Sequence, residues 1–272
     1  MRLTCLLLMG IILFFTDCRA IRQHRLLKQP AYDTLEKYSY LLLSFGGSND
    51  INRTNGTGFF YRDKGKLFLV TAYHVLTGCP IYEDTDRIVL DSLEVWYEDR
   101  SGERKCQRLS LATYRDQPCK KAYDTSDVAR LDVSDKFKDA DIHSVEGMVC
   151  TTYMNPVPLE PGDTVVCYGF SNVRQHEHYN AKTLPRRPEG YIRLGMYTPR
   201  AERCTRLPNL YYYIHPKIRK GASGSPVFKA VTSCGGQLKI CLIGIQSGSS
   251  DSLNRSTISR QDRMLDLFDQ LK

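Results

Sequence analysis

Short runs of β-branched, aromatic and other apolar residues recur along most of the chain, each bounded by turn residues such as Gly, Pro, Asn or Asp. Runs of about four to eight such residues are typical of β-strands. A first group of predicted strands covers residues 38–45, 58–61, 67–70, 88–97, 108–114 and 128–133, and a second group covers 164–170, 191–196, 210–214, 226–231 and 238–245. The segment Asp63-Lys64-Gly65 between two of these runs predicts a hairpin turn. The pattern therefore predicts an all-β protein.

A helical pattern is confined to the C-terminus. Apolar residues recur there at helical spacing between Met264 and Leu271, and Ser259 is expected to cap the helix. The order of these elements predicts two six-stranded antiparallel β-barrels followed by an α-helix. The predicted bounds are 21–145 for the first barrel, 146–258 for the second and 259–272 for the helix, with a proline-rich linker near 135–160.

Residues 1–20 have the composition of a secretory signal peptide. Arg2 supplies a positive charge, an apolar run extends from Leu6 to Phe15, and Ala20 is a small residue that suits cleavage. The run is too short to span a bilayer, although a retained signal anchor stays open as an alternative. We expect a secreted, extracellular protein without membrane insertion that begins near Ile21.

Ten cysteines are present, and the eight outside the leader form an even number. In a secreted chain this favours disulfides, and eight cysteines allow 105 pairings that a sequence cannot separate. A local pair between Cys106 and Cys119 is one expectation, because the polar segment between them is typical of a hairpin loop. Glycan acceptor sequons begin at Asn52, Asn55 and Asn254, and they have meaning only in a eukaryotic host. Asn52 and Asn55 lie side by side in a predicted Gly/Asn loop, so we do not expect both to be modified.

The formal net charge is +8, and the lysines and arginines are scattered rather than grouped in a tail. This distribution favours a solvated surface and argues against a nucleic-acid partner, while an acidic surface stays open as an alternative. His176-Glu177-His178 could bind a metal, but no cysteine or carboxylate motif accompanies it, so we predict an exposed loop and no metal. We expect a monomer.

A glycine-rich segment, Gly221-Ala222-Ser223-Gly224-Ser225-Pro226, leads directly into a predicted strand. Glycine tolerates positive φ and the close approach of another backbone, so Ser223 would project from a constrained turn that suits a nucleophile. His74 and Asp127 lie at the edges of two other apolar runs, 149 and 96 residues before Ser223. A serine hydroxyl needs such a base, and the base needs a partner that fixes its tautomer.

These three segments resemble the motifs of the trypsin/chymotrypsin-like serine proteases. Thr71-Ala72-Tyr73-His74 is similar to the histidine motif, Asp127-Val128-Ala129-Arg130-Leu131 to the aspartate motif, and Gly221 to Pro226 to the serine motif. The form Gly-x-Ser-Gly-Ser-Pro-Val-Phe is most similar to the glutamyl-endopeptidase and HtrA-type branch. The resemblance implies a chymotrypsin-like double β-barrel with the active site between the two halves.

The resemblance also implies roles for individual residues. His74, Asp127 and Ser223 would form the catalytic triad, and the backbone N–H groups of Gly221 and Ser223 would form the oxyanion hole. No cofactor is needed. Ala222 stands where trypsin-type zymogens carry an aspartate, so activation through a salt bridge to a new N-terminus is not expected.

The resemblance places the substrate-specificity pocket between two segments. Lys217 and Ile218 would form one wall and Gln246, Ser247 and Gly248 the other. Lys217 falls where trypsins carry an aspartate, which argues against cleavage after basic residues. Gln246 replaces the histidine that glutamyl endopeptidases place near a bound carboxylate, so a preference for acidic residues is not established by the pattern.

Two functions remain from the sequence. The first is a secreted serine endopeptidase that acts on proteins or peptides through an acyl-enzyme. The alternative is a catalytically silent, protease-like binding protein, although every predicted catalytic residue is present.

Overall fold

The structure is a computed structural model. It describes residues 34–46, 51–78, 90–115, 126–138, 140–152, 155–156, 163–170, 193–197, 211–214, 217–218, 221–232, 236–250, 252 and 254–270. The predicted leader, Cys119 and the His176–His178 segment lie outside these ranges. None of the helices in these ranges has both the length and the hydrophobicity that a membrane span requires.

The first six strands form one antiparallel sheet. They are β1 (Tyr40–Gly46), β2 (Ile51–Asp63), β3 (Lys66–Ala72), β4 (Ser92–Glu98), β5 (Arg104–Ser110) and β6 (Val128–Asp132). Their order across the sheet is β5-β4-β1-β2-β3-β6. β2 and β3 form the predicted hairpin, whose turn residues Lys64 and Gly65 have φ angles of 49° and 81°. Positive φ at both central residues gives a turn whose twist matches that of the flanking strands.

Six later strands form a second antiparallel sheet. They are β9 (Asp163–Cys167), β10 (Arg193–Tyr197), β11 (Tyr211–Ile214), β12 (Pro226–Thr232), β13 (Leu238–Ser250) and β14 (Arg255–Arg260). Their order is β10-β9-β12-β13-β14-β11. Between the sheets in sequence, β7 (Thr151–Thr152) and β8 (Asn155–Pro156) form a small antiparallel pair. The prediction of an all-β fold with two six-stranded antiparallel units is confirmed, although the edge strands of neither sheet pair with each other among the described residues.

Three α-helices complete the described chain, together with 3₁₀ turns at Leu35–Tyr38 and Glu146–Met148. The helices are α1 (Tyr73–Thr77), α2 (Ala112–Arg115) and α3 (Gln261–Gln270). The prediction of a C-terminal helix is confirmed, but the expectation that Ser259 caps it is wrong. Ser259 lies in β14, where it pairs with Tyr211 and Ile245, so the helix begins only at Gln261.

A second correction concerns residues 108–114, which the pattern predicted as one strand. β5 ends at Ser110, and α2 follows it directly. Leu111 and Tyr114 are both buried. Residues three positions apart share a face of a helix but not of a strand, so the helical turn allows both side chains to enter the core.

Each sheet has its own apolar core. The first contains Leu42, Phe60, Leu69, Val75, Leu93 and Leu131, and the second contains Val165, Ile214, Val227, Ile243 and Ile258. A disulfide joins Cys150 to Cys241 in the second core. Cys106 carries a free thiol, so the expected Cys106–Cys119 pair is wrong. Cys106 lies in β5 opposite Trp96, within the sheet rather than at the base of a hairpin loop.

The three predicted sequons have different settings. Asn52 and Asn55 lie in β2, where they pair with Phe45 and Leu43 of β1, rather than in the loop that their glycine-rich surroundings suggested. Asn254 is exposed in the turn between β13 and β14, at a φ of 44°.

Candidate active site

His74 lies on α1, which begins directly after β3. The backbone is still extended at Ala72 and becomes helical at Tyr73. The helix ends after five residues at Gly78, whose φ of 69° is left-handed and whose N–H donates to the His74 carbonyl over 2.9 Å. Glycine adopts this conformation without a steric penalty. The buried hydroxyl of Ser44 in β1 donates to the Val75 carbonyl over 2.7 Å and fixes the short helix on the sheet.

Asp127 is clamped onto the beginning of this helix by three hydrogen bonds. Its Oδ1 accepts from the His74 backbone N–H over 3.0 Å, and its Oδ2 lies 2.8 Å from His74 Nδ1. Its backbone carbonyl accepts from the Tyr73 N–H over 3.1 Å. Asp127 is 2 % exposed and has a φ of 55°, a conformation that aspartate tolerates better than most side chains. The clamp therefore fixes both the position and the ring orientation of His74.

The electrostatics of the pair follow from this geometry. Burial disfavours the imidazolium, but the carboxylate of Asp127 more than offsets this effect, and the pKa of His74 lies above its ordinary value of 6.5. With Nδ1 bound to Asp127, the second ring nitrogen, Nε2, is the atom that can exchange a proton with another group.

Ser223 lies in a tight turn that leads into β12. Gly221 and Gly224 on either side of it have φ angles of 93° and 89°, which glycine alone adopts readily. The Ala222 carbonyl accepts hydrogen bonds from the N–H and the hydroxyl of Ser225, over 3.0 and 2.5 Å. The C=O and N–H of a trans peptide point in opposite directions. The N–H of Ser223 is therefore turned away from Ser225.

The turn of residues 221–225, called the nucleophile turn here after the role that the sequence predicts for Ser223, packs closely on the first sheet beside His74. A Cβ added to Gly224 would lie 1.9 Å from the Thr57 carbonyl oxygen and 3.0 Å from the Ala72 nitrogen. A Cβ added to Gly56 would lie 3.1 Å from the Ser223 carbonyl oxygen and 2.6 Å from Val75 Cγ2. The structure thus places Ser223 close to the segment around His74. Within the described ranges, no hydrogen bond joins the two side chains, and such bonds often tighten only when substrate is bound.

The predicted pocket residues fall into two groups. Gln246 lies against the nucleophile turn, since its carbonyl accepts from the Gly224 N–H over 2.7 Å and its N–H donates to the Ser225 carbonyl over 2.9 Å. Its side chain is buried, with Nε2 donating to the Gly248 carbonyl over 3.0 Å and Oε1 without a partner among the described residues. Ser247 is the extra residue of a β-bulge at this point in β13, and its hydroxyl donates to the Thr257 carbonyl over 3.3 Å.

The other predicted wall lies against the β13–β14 turn. The N–H of Ile218 donates to the Ser256 hydroxyl over 2.7 Å, and its side chain enters the second core together with Ala222. The N–H of Lys217 donates to the side-chain oxygen of Asn254 over 3.4 Å. Lys217 is half-buried.

Two residues that the sequence patterns did not assign to this site connect the two halves here. Thr57 binds the nucleophile turn, and the buried hydroxyl of Ser259 donates to the carbonyl of Ser126, next to Asp127. Thr57 stands between Gly56 and Gly58, and paired glycines in a strand are a signal for close approach of another backbone. Ser259 offers no comparable signal.

The potential metal-ligating side chains of the described residues do not form a metal centre. In the part of the chain that the structure describes, no three His, Cys, Asp or Glu side chains come together in a way that could hold an ion. His74 and Asp127 bind each other.

A known protein family matches the part of the chain that carries these residues. The family model of the trypsin-like peptidase domain matches residues 56–234. The chain belongs to the trypsin-like peptidase family. The matched range contains all three predicted triad positions and both glycines of the nucleophile turn, and the predicted family is confirmed.

The other comparisons were with curated proteins and with solved structures. The search of curated proteins found no match. Among solved structures, the chain is similar to Deg5, at 14 % identity and a TM-score of 0.46, over 86 % of this chain and 88 % of that one. It is also similar to the active form of the Rv3671c protease from M. tuberculosis, at 16 % identity and a TM-score of 0.48, over 90 % and 86 % of the two chains.

Proposed function

We propose that the protein is a secreted serine endopeptidase in which Ser223 is the nucleophile, His74 the general base and Asp127 the residue that orients it. The observation that carries this proposal is the clamp of Asp127 on His74, with a ring contact of 2.8 Å to a carboxylate that is 2 % exposed. A buried carboxylate with this geometry fixes the tautomer in which Nε2 can accept a proton.

The reaction would proceed in two steps. The Ser223 oxygen forms a bond to the carbonyl carbon of the substrate as its proton passes to His74 Nε2, and the resulting oxyanion accepts hydrogen bonds from the N–H groups of Gly221 and Ser223. The C–N bond then breaks, and His74 returns the proton to the leaving amine. Water attacks the acyl-enzyme in the same way, with His74 as base, and releases Ser223 and the carboxylic acid product.

The test combines covalent labelling with peptide-library hydrolysis. The purified chain is expected to react with a fluorophosphonate and to cleave peptides, and Ser223→Ala is expected to lose labelling and about 10⁶-fold in kcat. Ser110→Ala is the matched control, because Ser110 is exposed in β5 and should leave both readouts unchanged. A folded protein that neither labels nor cleaves would contradict this proposal and favour the alternative of a catalytically silent binding protein.

The library also tests substrate preference. A cation at position 217 is expected to disfavour lysine and arginine before the cleaved bond, because like charges in a partly desolvated pocket repel. Efficient cleavage after lysine that Lys217→Ala leaves unchanged would contradict a role for this side chain.

Secretion has its own measurement. Expression in a host with a secretory pathway is expected to release the protein into the medium with an N-terminus near residue 21. Retention of an uncleaved leader in the membrane fraction would favour a signal anchor.

A further inference from the structure

Thr57 occupies an unusual point in the first sheet. It lies in β2 directly beyond the β2–β3 hairpin, whose pairing ends at Gly58 and Thr71 because β3 leads into α1. On its other edge, Thr57 pairs with Leu41 of β1. Thr57 is fully buried. The edge of β2 that β3 leaves open is therefore covered by something other than a strand.

The nucleophile turn covers this edge. The Thr57 N–H donates to the Ser223 carbonyl over 2.7 Å, and the Thr57 hydroxyl donates to the Gly221 carbonyl over 3.0 Å. The same hydroxyl accepts from the Phe170 N–H over 2.8 Å, and the Thr57 carbonyl accepts from the Thr71 hydroxyl over 2.8 Å. One residue of the first half thus holds the backbone on both sides of Ala222.

The Thr57 side chain, rather than its backbone, makes the contact to the Gly221 carbonyl, so a substitution at Thr57 can remove this contact. Glycine has the widest choice of backbone angles, so the peptides beside Gly221 can rotate unless something holds them. Gly221 is buried at a φ of 93°, and its carbonyl would lose a partner without the Thr57 hydroxyl. A buried carbonyl without a hydrogen bond costs about 1–3 kcal/mol, which favours rotation of the peptide.

We propose that Thr57 is a positioning residue for the oxyanion hole: its hydroxyl holds the carbonyl of the Gly221–Ala222 peptide, which joins Gly221 to Ala222 and Ser223, and so limits how far the Gly221 N–H can turn away from that of Ser223. The inference rests on the proposed function, because an oxyanion hole has a role only in acyl transfer. The N–H of Ser223 is held separately, through the Ala222 carbonyl and Ser225. Loss of the Thr57 hydroxyl would therefore disturb one of the two donors.

The experiment compares three substitutions at this position by steady-state kinetics on one peptide substrate. Thr57→Val keeps the shape and removes the hydroxyl, and kcat is expected to fall about 10- to 100-fold while KM changes less than about threefold. Thr57→Ser keeps the hydroxyl and is expected to remain within about threefold of the parent. Thr57→Cys keeps a weak donor and is expected to lie between them, and it gives a second reading if the valine variant does not fold.

Ser39→Ala is the matched control. The Ser39 hydroxyl also makes a buried bond from the first half to a carbonyl of the second, donating to Tyr168 over 2.9 Å, but it does not touch the nucleophile turn. Its loss is expected to lower stability without lowering kcat. Equal kcat for the valine variant and the parent, or equal loss in the serine and valine variants, would overturn the proposal for Thr57. A parent protein without activity would instead overturn the proposed function.

Discussion

The two sides of the candidate active site are held in different ways. On the His74 side, a side chain holds the catalytic group in place. The carboxylate of Asp127 binds the ring and the backbone N–H of His74, and both contacts lie within the first half. On the Ser223 side, the backbone is held, because the carbonyls of Gly221, Ala222 and Ser223 each accept hydrogen bonds. Thr57 in the other half donates to two of these three carbonyls.

This difference has a physical origin. A histidine base gains a positive charge when it takes up a proton, so a buried carboxylate beside it stabilises the charged ring. An oxyanion hole must present rigid N–H dipoles, so its support is best provided by hydrogen bonds that fix peptide planes. Substitutions on the first side are therefore expected to remove activity and keep the fold, whereas those on the second side are expected to affect both.

The largest effect is expected at Asp127. In Asp127→Asn, the amide no longer fixes the productive tautomer of His74 or stabilises the imidazolium, and kcat is expected to fall about 10⁴-fold. The amide can still accept the backbone N–H of His74, so the thermal midpoint should change little. Kinetics and thermal unfolding on the same preparation provide the check. Loss of the fold together with the activity would contradict the expectation that substitutions on the His74 side remove activity and keep the fold.

Gly224→Ala tests the other side. The added Cβ would meet the Thr57 carbonyl at 1.9 Å and the Thr71 hydroxyl at 2.3 Å, so the nucleophile turn would have to move away from the first sheet. We expect a loss of several kcal/mol in unfolding free energy and at least about 100-fold in kcat/KM.

Gly236→Ala provides the control for backbone strain. Gly236 has a similar φ of 77°, but an added Cβ meets nothing within 4 Å. Its substitution is expected to cost only about 1 kcal/mol and to leave kcat unchanged. Equal destabilisation by the two alanines, measured by denaturant unfolding, would show that strain rather than close approach explains the effect at Gly224.

The pH dependence of kcat/KM gives a third prediction for the His74 side, with a smaller expected effect. His74 must be neutral to act as base, and Asp127 raises its pKa above 6.5, so kcat/KM is expected to rise about tenfold per unit up to a pKa above that value. The raised folded-state pKa also contributes stability, which is fully present below about pH 6.5 and is lost as pH rises through the folded-state pKa. A kinetic pKa below 6.5 would show that burial, rather than the carboxylate, dominates at His74.

Much of this site follows from local sequence signals. The hairpin between β2 and β3 is encoded by its Asp-Lys-Gly turn, and the strands around His74 and Ser223 by their apolar runs. The glycines at 221 and 224 predict a turn, and their φ angles show why no other residue fits well. The order of the three motifs was sufficient to predict the family.

What the sequence did not reveal depends on distant contacts. Thr57 bonds to a residue 164 positions away, and nothing within β2 encodes that partner. The strand β14, Arg255–Arg260, is mostly polar, and its buried residues Ser256, Ile258 and Ser259 alternate too weakly to predict a strand. Pairing with β11 and β13 fixes it, and such tertiary context overrides local propensity.

The smallest effect is expected at Ser259, which joins the second half to the turn that carries Asp127. A substitution there tests whether the His74 side is held only by contacts within the first half. The buried Ser259 hydroxyl donates to the Ser126 carbonyl, and Ser259→Ala is expected to cost about 1 kcal/mol of unfolding free energy. The three bonds between Asp127 and α1 lie within the first half and remain intact, so kcat should change less than about threefold. A larger loss of kcat, with the kinetic pKa of His74 shifted downward, would mean that the second half also positions the carboxylate, and the two sides would then share one support.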